Sequence, residues 1–271
     1  MHPTVGSLGM AVMTTRRTIV RLHGADGSPA PDELAVEAPL TLSLGDDVLA
    51  VLMRTPGHDL ELAAGWLVAE SAIRAAGDIA RMRESREADG VRITLRPGVA
   101  PPRSRAFVTS ASCGVCSADL IDMLPPRTSA PHSPGWHVSR SMLAGLPDLM
   151  RGHQRAFDRT GGLHAAALAT ASGDVLVVRE DVGRHNAVDK VVGWALLDGR
   201  LPLRDHLLVV SGRVSFEIVQ KTVASGVAGI VAVSAPSSLA VDLARTYDLL
   251  LAGLVRGDRL NVYAGSESLA G

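Results

Sequence analysis

From residue 163 onward, short apolar runs alternate with longer amphipathic ones, and this alternation limits the possible folds more than any other feature of the chain. Residues 163–169 and 174–179 read as a hairpin turning at Ser172-Gly173. Helices over 186–197, 215–224 and 237–246 then alternate with strands over 206–210, 229–233 and 249–255. Strands separated by helices of about ten residues pair in a parallel or mixed sheet with helices on its faces. Phe, Trp and Tyr make up only 3% of the chain, so the core rests on Val, Leu, Ile and Ala, which suit layered packing.

The first half reads differently. Residues 1–15 lack periodicity, contain Met10 and Met13 as alternative starts, and are expected to be disordered. From Thr18 to Met53, alternating or apolar runs broken by Gly45-Asp-Asp predict strands with a hairpin. Thr55-Pro-Gly-His-Asp59 then punctuates, and Leu60, Leu62, Ala63, Trp66, Leu67 and Ala69 recur at near-helical spacing. Val91 to Leu95 returns to strand, and Pro-rich stretches at 97–102 and 125–134 bracket two cysteines. With 271 residues and 46% apolar content the chain can bury a large core. The expected class is α/β, in the α+β sense. A small N-terminal sheet-and-helix domain occupies 16–135, with a mobile Cys-x-x-Cys loop near 109–117, and a layered α/β domain occupies 136–271.

Cys113 and Cys116 are the only cysteines. Such a pair offers no disulfide framework, and in a reducing compartment it is more often catalytic or metal-binding than structural. The small flanking residues leave the thiols accessible. A helix starting near Ser117 would set Cys116 at its positive end and favour the thiolate. Three chemistries fit. A zinc site needs two more ligands, for which His164 and His185 are the best histidines. A zinc deaminase, however, joins His-x-Glu to a later Pro-Cys-x-x-Cys. This chain has His164-Ala-Ala, no proline before Cys113, and its cysteines ahead of the histidine. Thioredoxin-type exchange places its motif near a βαβ unit, which here comes only later. Covalent sulfur handling by a reactive thiol is the third.

Three short polar junctions, at 180–186, 211–215 and 234–238, are expected to open at one edge of the C-terminal sheet. Free backbone N–H groups and helix dipoles favour anions at such an edge. Ser211-Gly212-Arg213 adds a hydroxyl, bare backbone and a guanidinium, a combination that clamps phosphate. Taken alone, the first junction is equally a helix cap followed by solvated charges. Of 27 basic residues only Lys190 and Lys221 are lysine. That is either chance or the mark of sites needing a compact charge or a titratable amine. Glu61, Glu70 and the charged stretch 81–87 read as solvated surface.

A net charge of −1 and the lack of a long basic run argue against nucleic acid as the main partner. Arg16-Arg17-Thr-Ile-Val has the look of a twin-arginine export signal, but Arg21, His23 and Asp26 interrupt the apolar stretch such a signal needs. No apolar run approaches the roughly 20 residues of a membrane helix. The expected location is the cytoplasm, away from membranes.

Taken in order, several motifs resemble the formate dehydrogenase accessory sulfurtransferase family, FdhD/NarQ. They are Arg-Thr-Pro-Gly-His-Asp-Leu-Glu-Leu-Ala-Ala-Gly from Arg54, Ser-Cys-Gly-Val-Cys from Ser112, and Thr-Gly-Gly-Leu-His-Ala-Ala from Thr160. Glu-Asp-Val-Gly-Arg-His-Asn-Ala-Val-Asp-Lys from Glu180, Val-Ser-Gly-Arg from Val210 and Val-Ser-Ala-Pro-Ser-Ser from Val233 complete the set. The resemblance implies a homodimeric sulfur carrier. It would take persulfide sulfur from a cysteine desulfurase and pass it to the molybdenum cofactor, bis(molybdopterin guanine dinucleotide), destined for formate dehydrogenase. It makes Cys113 the persulfide carrier and Cys116 its helper, with no resident metal, and gives the C-terminal domain a cytidine deaminase-like fold. The cofactor-binding segment falls on Ala252, Gly253, Leu254, Val255, Arg256 and Gly257, where an aromatic is expected and this chain has Leu254 and Val255. The nucleotide ends would use Arg184, His185, Asn186 and Lys190, then Ser211, Gly212 and Arg213, and Ser234. Among these, Arg184, Lys190, Arg213 and Arg256 are the phosphate partners.

Overall fold

The strand His206–Val210 shows why the second half folds as a layer. Leu207 and Val209 join one apolar cluster while Leu208 and Val210 join another, so the strand is buried on both faces. The computed structural model describes residues 12–85, 89–102 and 131–270, together with the backbone of 108–109. In chain order the first half contains β1 (Thr14–His23), β2 (Asp26–Ala35), β3 (Ala38–Leu44), β4 (Asp47–Arg54), α1 (Asp59–Ala69), β5 (Ile79–Ser85), β6 (Gly90–Leu95) and β7 (Val108–Thr109). The second contains α2 (Arg140–Arg151), α3 (Arg155–Thr160), β8 (His164–Thr170), β9 (Val175–Asp181), α4 (Arg184–Leu197) and β10 (His206–Val210). It ends with α5 (Phe216–Ser225), β11 (Gly229–Ala232), α6 (Ser238–Thr246), β12 (Leu250–Arg256) and β13 (Arg259–Ala264).

The fold is mixed α/β. A central sheet runs in the order β13-β12-β11-β10-β8-β9, a second sheet runs β5-β6-β3-β4-β7, and β1 and β2 form a separate ribbon. Strands β10, β11 and β12 are parallel, whereas β8 runs against β10. Helix α2 covers one face, its Leu143, Leu146 and Met150 packing with Ala165, Ala167, Leu207 and Val209. The other face carries α4 and α5. Its apolar cluster continues without a break into α1 and the second sheet, from Val188 and Val191 to Leu62, Leu67, Leu40 and Ile93. Helices α1 and α4 cross at Gly65 and Gly193: a methyl on Gly65 would fall on the backbone of Asp189, and one on Gly193 on the backbone of Glu61.

Several elements depart from the expectations. Thr14 and Thr15, placed in a disordered start, open β1, and the preceding residues 1–11 lie outside the described ones. Strand β2 contains Pro29, Pro31, Asp32 and Glu33 and has no strand signal of its own, yet all ten of its residues pair with β1. Its pairing partner, rather than its propensity, makes it a strand. Helices α2 and α3 and strand β13 also lacked a sequence expectation. Residues 110–117 of the cysteine loop, with Cys113 and Cys116, lie outside the described residues.

Candidate functional site

The sheet topology alone brings the polar junctions to one edge. Strands β10 and β11 lead into Ser211 and Val233 and β12 ends at Arg256, while antiparallel β8 begins there at His164, which pairs with Asp181 at the end of β9. A cleft of about 730 Å3 opens at this edge, walled on the sheet side by His164, Val182, Ser211, Val233, Arg256 and Gly257. Its size is that of a small-molecule site.

A backbone donor holds Ser211 in the wall. Ser211 Oγ accepts from the Ala165 N–H at 2.9 Å and lies 3.5 Å from His164 Nδ1. Gly212 is needed for closeness, since a Cβ there would sit 3.3 Å from His164 Nδ1 and 3.4 Å from Arg184 Cβ. Burial, aided by the guanidiniums of Arg184 and Arg213, holds the His164 imidazole below the usual histidine range despite the opposing pull of Asp181. Arg213 is exposed. Arg184 has a buried Nε–H without a hydrogen-bond partner among the described residues, a donor that an anion could take up.

The segment 252–257 is split. Ala252, Gly253 and Val255 are buried in the sheet, and Arg256 and Gly257 are exposed at the cleft. Between them the β12–β13 ladder shifts register and Leu254 takes a left-handed φ of 53°. That backbone conformation is strained for a branched side chain. The Leu254 N–H donates to Ser234 O at 3.2 Å, so the 234–238 junction and the 252–257 segment are tied together. A Cβ on Gly253 would approach Ser234 O at 3.1 Å and Pro236 Cδ at 3.2 Å.

Two expected ligand contacts point elsewhere. Lys190 is fully buried: its ammonium pairs with Asp181 at 2.7 Å and donates to the carbonyls of Thr55 at 2.9 Å and Glu180 at 3.3 Å. Its three donors are therefore taken up inside the protein, and no phosphate in the cleft reaches it. Asn186 likewise donates from Nδ2 to Met53 O at 2.8 Å and to Asp181 Oδ1 at 2.9 Å. Asp181 also accepts from the N–H groups of Thr55 at 3.1 Å and Gly183 at 2.8 Å, and the Val182 N–H donates to Thr55 Oγ1 at 3.1 Å. Together these groups lock the 54–59 motif to the 180–190 motif directly behind the cleft. The other lysine has the same kind of partner, Lys221 Nζ lying 2.7 Å from Asp189 Oδ1. Glu61, expected at the solvated surface, is instead held by Arg179 in a two-pronged pair of 2.5 and 2.7 Å.

His185 turns away from the open cleft. Its Nε2 lies 3.1 Å from Ser215 Oγ, which donates to Glu217 Oε2 at 2.6 Å. Burial first, then the nearby charges of Lys221 and Arg184, push the imidazole down to about 4, with Glu217 opposing. Four residues on, burial pushes the Asp189 carboxyl up to about 6 against the pull of Lys221. The two act in opposite senses. Between pH 6.5 and 4 the unfolded chain binds the proton that folded His185 refuses, so acidification removes stability. Over nearly the same window folded Asp189 binds a proton that the unfolded chain does not, so acidification adds stability. Urea midpoints at pH 4.5 and 6.5 are expected to differ less in His185→Asn than in the wild type in the direction of acid loss; an unchanged difference would contradict this assignment.

The opposite wall of the cleft was not anticipated. It comes from the corner of α2 and α3, with Asp148, Arg151, Gln154 and Phe157. Ser139 capping the Met142 N–H at 3.1 Å, followed by Leu143, Leu146 and Met150, was the available helix signal. The chain flanking the cysteines is pinned on both sides. Thr109 pairs with Leu52 of β4, and Ser133 donates from N and Oγ to Asp205, each at 2.7 Å.

Comparison with known proteins agrees with the ordered motifs. The model of the FdhD/NarQ family matches residues 35–270. The sulfur carrier protein FdhD of Streptomyces coelicolor is 45% identical over 274 residues, covering 96% of this chain and 97% of that one. The protein of the same name from Mycobacterium tuberculosis is 42% identical, covering 96% and 100%. A crystal structure from Desulfotalea psychrophila, described as a formate dehydrogenase accessory protein, has the same fold, with a TM-score of 0.77 at 22% identity over 96% of this chain and 100% of that one. With a family model spanning most of its length and relatives this similar, the chain belongs to the FdhD/NarQ family.

Proposed function

We propose that this protein is a cytoplasmic, homodimeric sulfur carrier that loads the molybdenum cofactor required by formate dehydrogenase. Family membership carries the reading: the curated relatives are sulfur carrier proteins, and the chain holds two cysteines in the family's order of motifs. The thiolate of Cys113 attacks the outer sulfur of a persulfide on a cysteine desulfurase. The donor S–S bond breaks, a new one forms on Cys113, and the donor cysteine leaves as thiolate. Cys116 can then relay the outer sulfur by attacking it, or release it as sulfide by attacking the inner sulfur and closing a Cys113–Cys116 disulfide.

The cargo, bis(molybdopterin guanine dinucleotide), is a substrate rather than a resident group. The residues at the sheet edge suit its phosphates: Arg256 and Gly257 with exposed backbone, Ser211 with Gly212, Arg213 in solvent, and the unpartnered Nε–H of Arg184. Lys190 and Asn186 are left out of this set because they close the joint behind it. Intact mass spectrometry after incubation with a cysteine desulfurase and cysteine tests the reading. The wild type is expected to gain one sulfur and Cys113→Ala none; a wild type without the gain, or full dehydrogenase maturation by Cys113→Ala, would overturn it. Bound zinc lost in Cys113→Ala would favour a hydrolase instead.

A further inference from the structure

Exposed apolar side chains concentrate on one element. Of the seven large hydrophobic residues that stand exposed among the described residues, Val12, Val20, Leu22 and Leu34 belong to the β1–β2 ribbon or lead into it. The root of the ribbon is anchored: Thr14 donates to Glu33 Oε1 at 2.5 Å, and Arg159 of α3 bonds to both. Opposite residues of an antiparallel pair share a face, so Thr14, Thr18, Val20 and Leu22 lie on the face that carries Glu33, Pro31, Pro29 and Gly27. Near the root this face meets α3. Beyond it Thr18, Val20, Leu22, Pro29 and Pro31 are all exposed, Val20 at 66% and Leu22 at 69%. Leu22 and Val20 lean over Gly27, where a Cβ would meet them at 2.9 and 3.2 Å, and the tip thus presents one apolar surface. Water covers it poorly. A two-stranded ribbon alone is marginally stable, and β2, with Pro29, Pro31, Asp32 and Glu33, has no strand propensity to help it.

The outer edge of β2 is closed to a further strand. Proline has no N–H, so Thr18–Pro31 and Val20–Pro29 are pairs whose backbone groups point out of the ladder, and that edge lacks donors at two successive outward positions. The apolar face is what remains to be covered. We propose that the β1–β2 ribbon is an arm exchanged between two copies of this chain, each laying its Val20, Leu22 and Pro29 face on the body of the other. The inference rests on the homodimer proposed above and supplies its surface. Area selects this occupant. The eight pairs from Arg16–Glu33 to His23–Asp26 span ~26 Å and two strands are ~10 Å across, which gives ~260 Å2 per face. One arm on an unrelated partner would remove ~520 Å2 counting both surfaces, within the range of fortuitous packing contacts. Two arms exchanged about a two-fold axis remove ~1,000 Å2, the threshold of a specific interface. Charge favours no other occupant, because Arg16, Arg17 and Arg21 are matched within the ribbon by Asp26, Asp32 and Glu33, with Arg21 3.7 Å from Asp32.

The test is sedimentation velocity of the full chain across a dilution series. The wild type is expected to dimerise, and Leu22→Asp to raise the dissociation constant of the dimer about thirtyfold or more, the effect of losing a central apolar anchor. Ser28→Asp, on the opposite face of the ribbon, should leave that constant within about threefold. Position 22 faces solvent in a lone chain, so the aspartate leaves the monomer folded. Hydrogen exchange of the ribbon amides is the second readout and is expected to slow in the wild type as the dimer forms. A dimer that survives Leu22→Asp, equal weakening by Ser28→Asp, or ribbon amides that exchange alike in monomer and dimer overturns the arm and leaves the homodimer standing. A monomeric wild type overturns both, and ribbon amides protected only when a cysteine desulfurase is added give the face to that partner instead. Sulfur on Cys113 is read separately by mass, so the arm and the carrier fail independently.

Discussion

Lys190→Met is expected to lower folding stability by about 3 to 5 kcal/mol in urea titrations, the range found when one partner of a buried ion pair is removed. Methionine keeps most of the stem volume, so the loss reports the ammonium rather than a cavity. Without it, Asp181 remains a fully buried carboxylate, and the carbonyls of Thr55 and Glu180 each lose a donor. Lys190→Arg should fail to restore the protein even though it keeps the charge. The pocket holds a compact group with three acceptors around it, and a planar fork cannot occupy the same point. A loss below about 1 kcal/mol for Lys190→Met, or a fully stable Lys190→Arg, would mean that the charge is not confined as described. The conspicuous retention of lysine in an arginine-rich chain thus has a structural reason at this position, although the site is a joint and not a ligand pocket.

The buried Lys190 joint divides what is legible in the sequence from what is not. The central strands were legible because β10, β11 and β12 are apolar on both faces, a pattern that only a covered sheet explains. Once the strands and helices alternate, the convergence of Ser211, Ser234 and Arg256 at one edge follows from connectivity. What connectivity does not reveal is which way a helical residue faces. Asn186 and Lys190 are four apart on α4, share a face, and that face turns towards Met53 and Thr55 instead of the cleft. The motif around them looked like one ligand loop but is divided between two duties: Arg184 packs beside Gly212 of the 211–215 junction, and Asp181, Asn186 and Lys190 hold the halves of the protein together. The α2–α3 wall was missed for a different reason. Pro147 sits inside α2 and interrupts the signal set up by Ser139 and Leu143, and α3 has only six residues over which a period can show.

Gly193→Ala is expected to destabilise the protein by about 3 kcal/mol or more, or to prevent folding, although alanine is the better helix former. The added methyl would fall on the backbone of Glu61, and that of Gly65→Ala on the backbone of Asp189. Backbone cannot rotate aside as a side chain can, so the helices must separate. Separation would draw α1, and the Thr55 that precedes it, away from Asp181 and Lys190 on α4's side of the joint. It would also loosen Glu61 from Arg179. The two substitutions disturb one contact, so their effects should fall short of additive in the double variant. Gly145→Ala is the control. Gly145 lies within α2, where an added methyl would meet nothing inside 4 Å, and the change is expected to add about 0.4 to 1 kcal/mol of stability. If Gly193→Ala matched that control, the close crossing of α1 and α4 could not be what sets the joint. The packing of Arg184 against Gly212, at the first turn of the same helix, would then need another support.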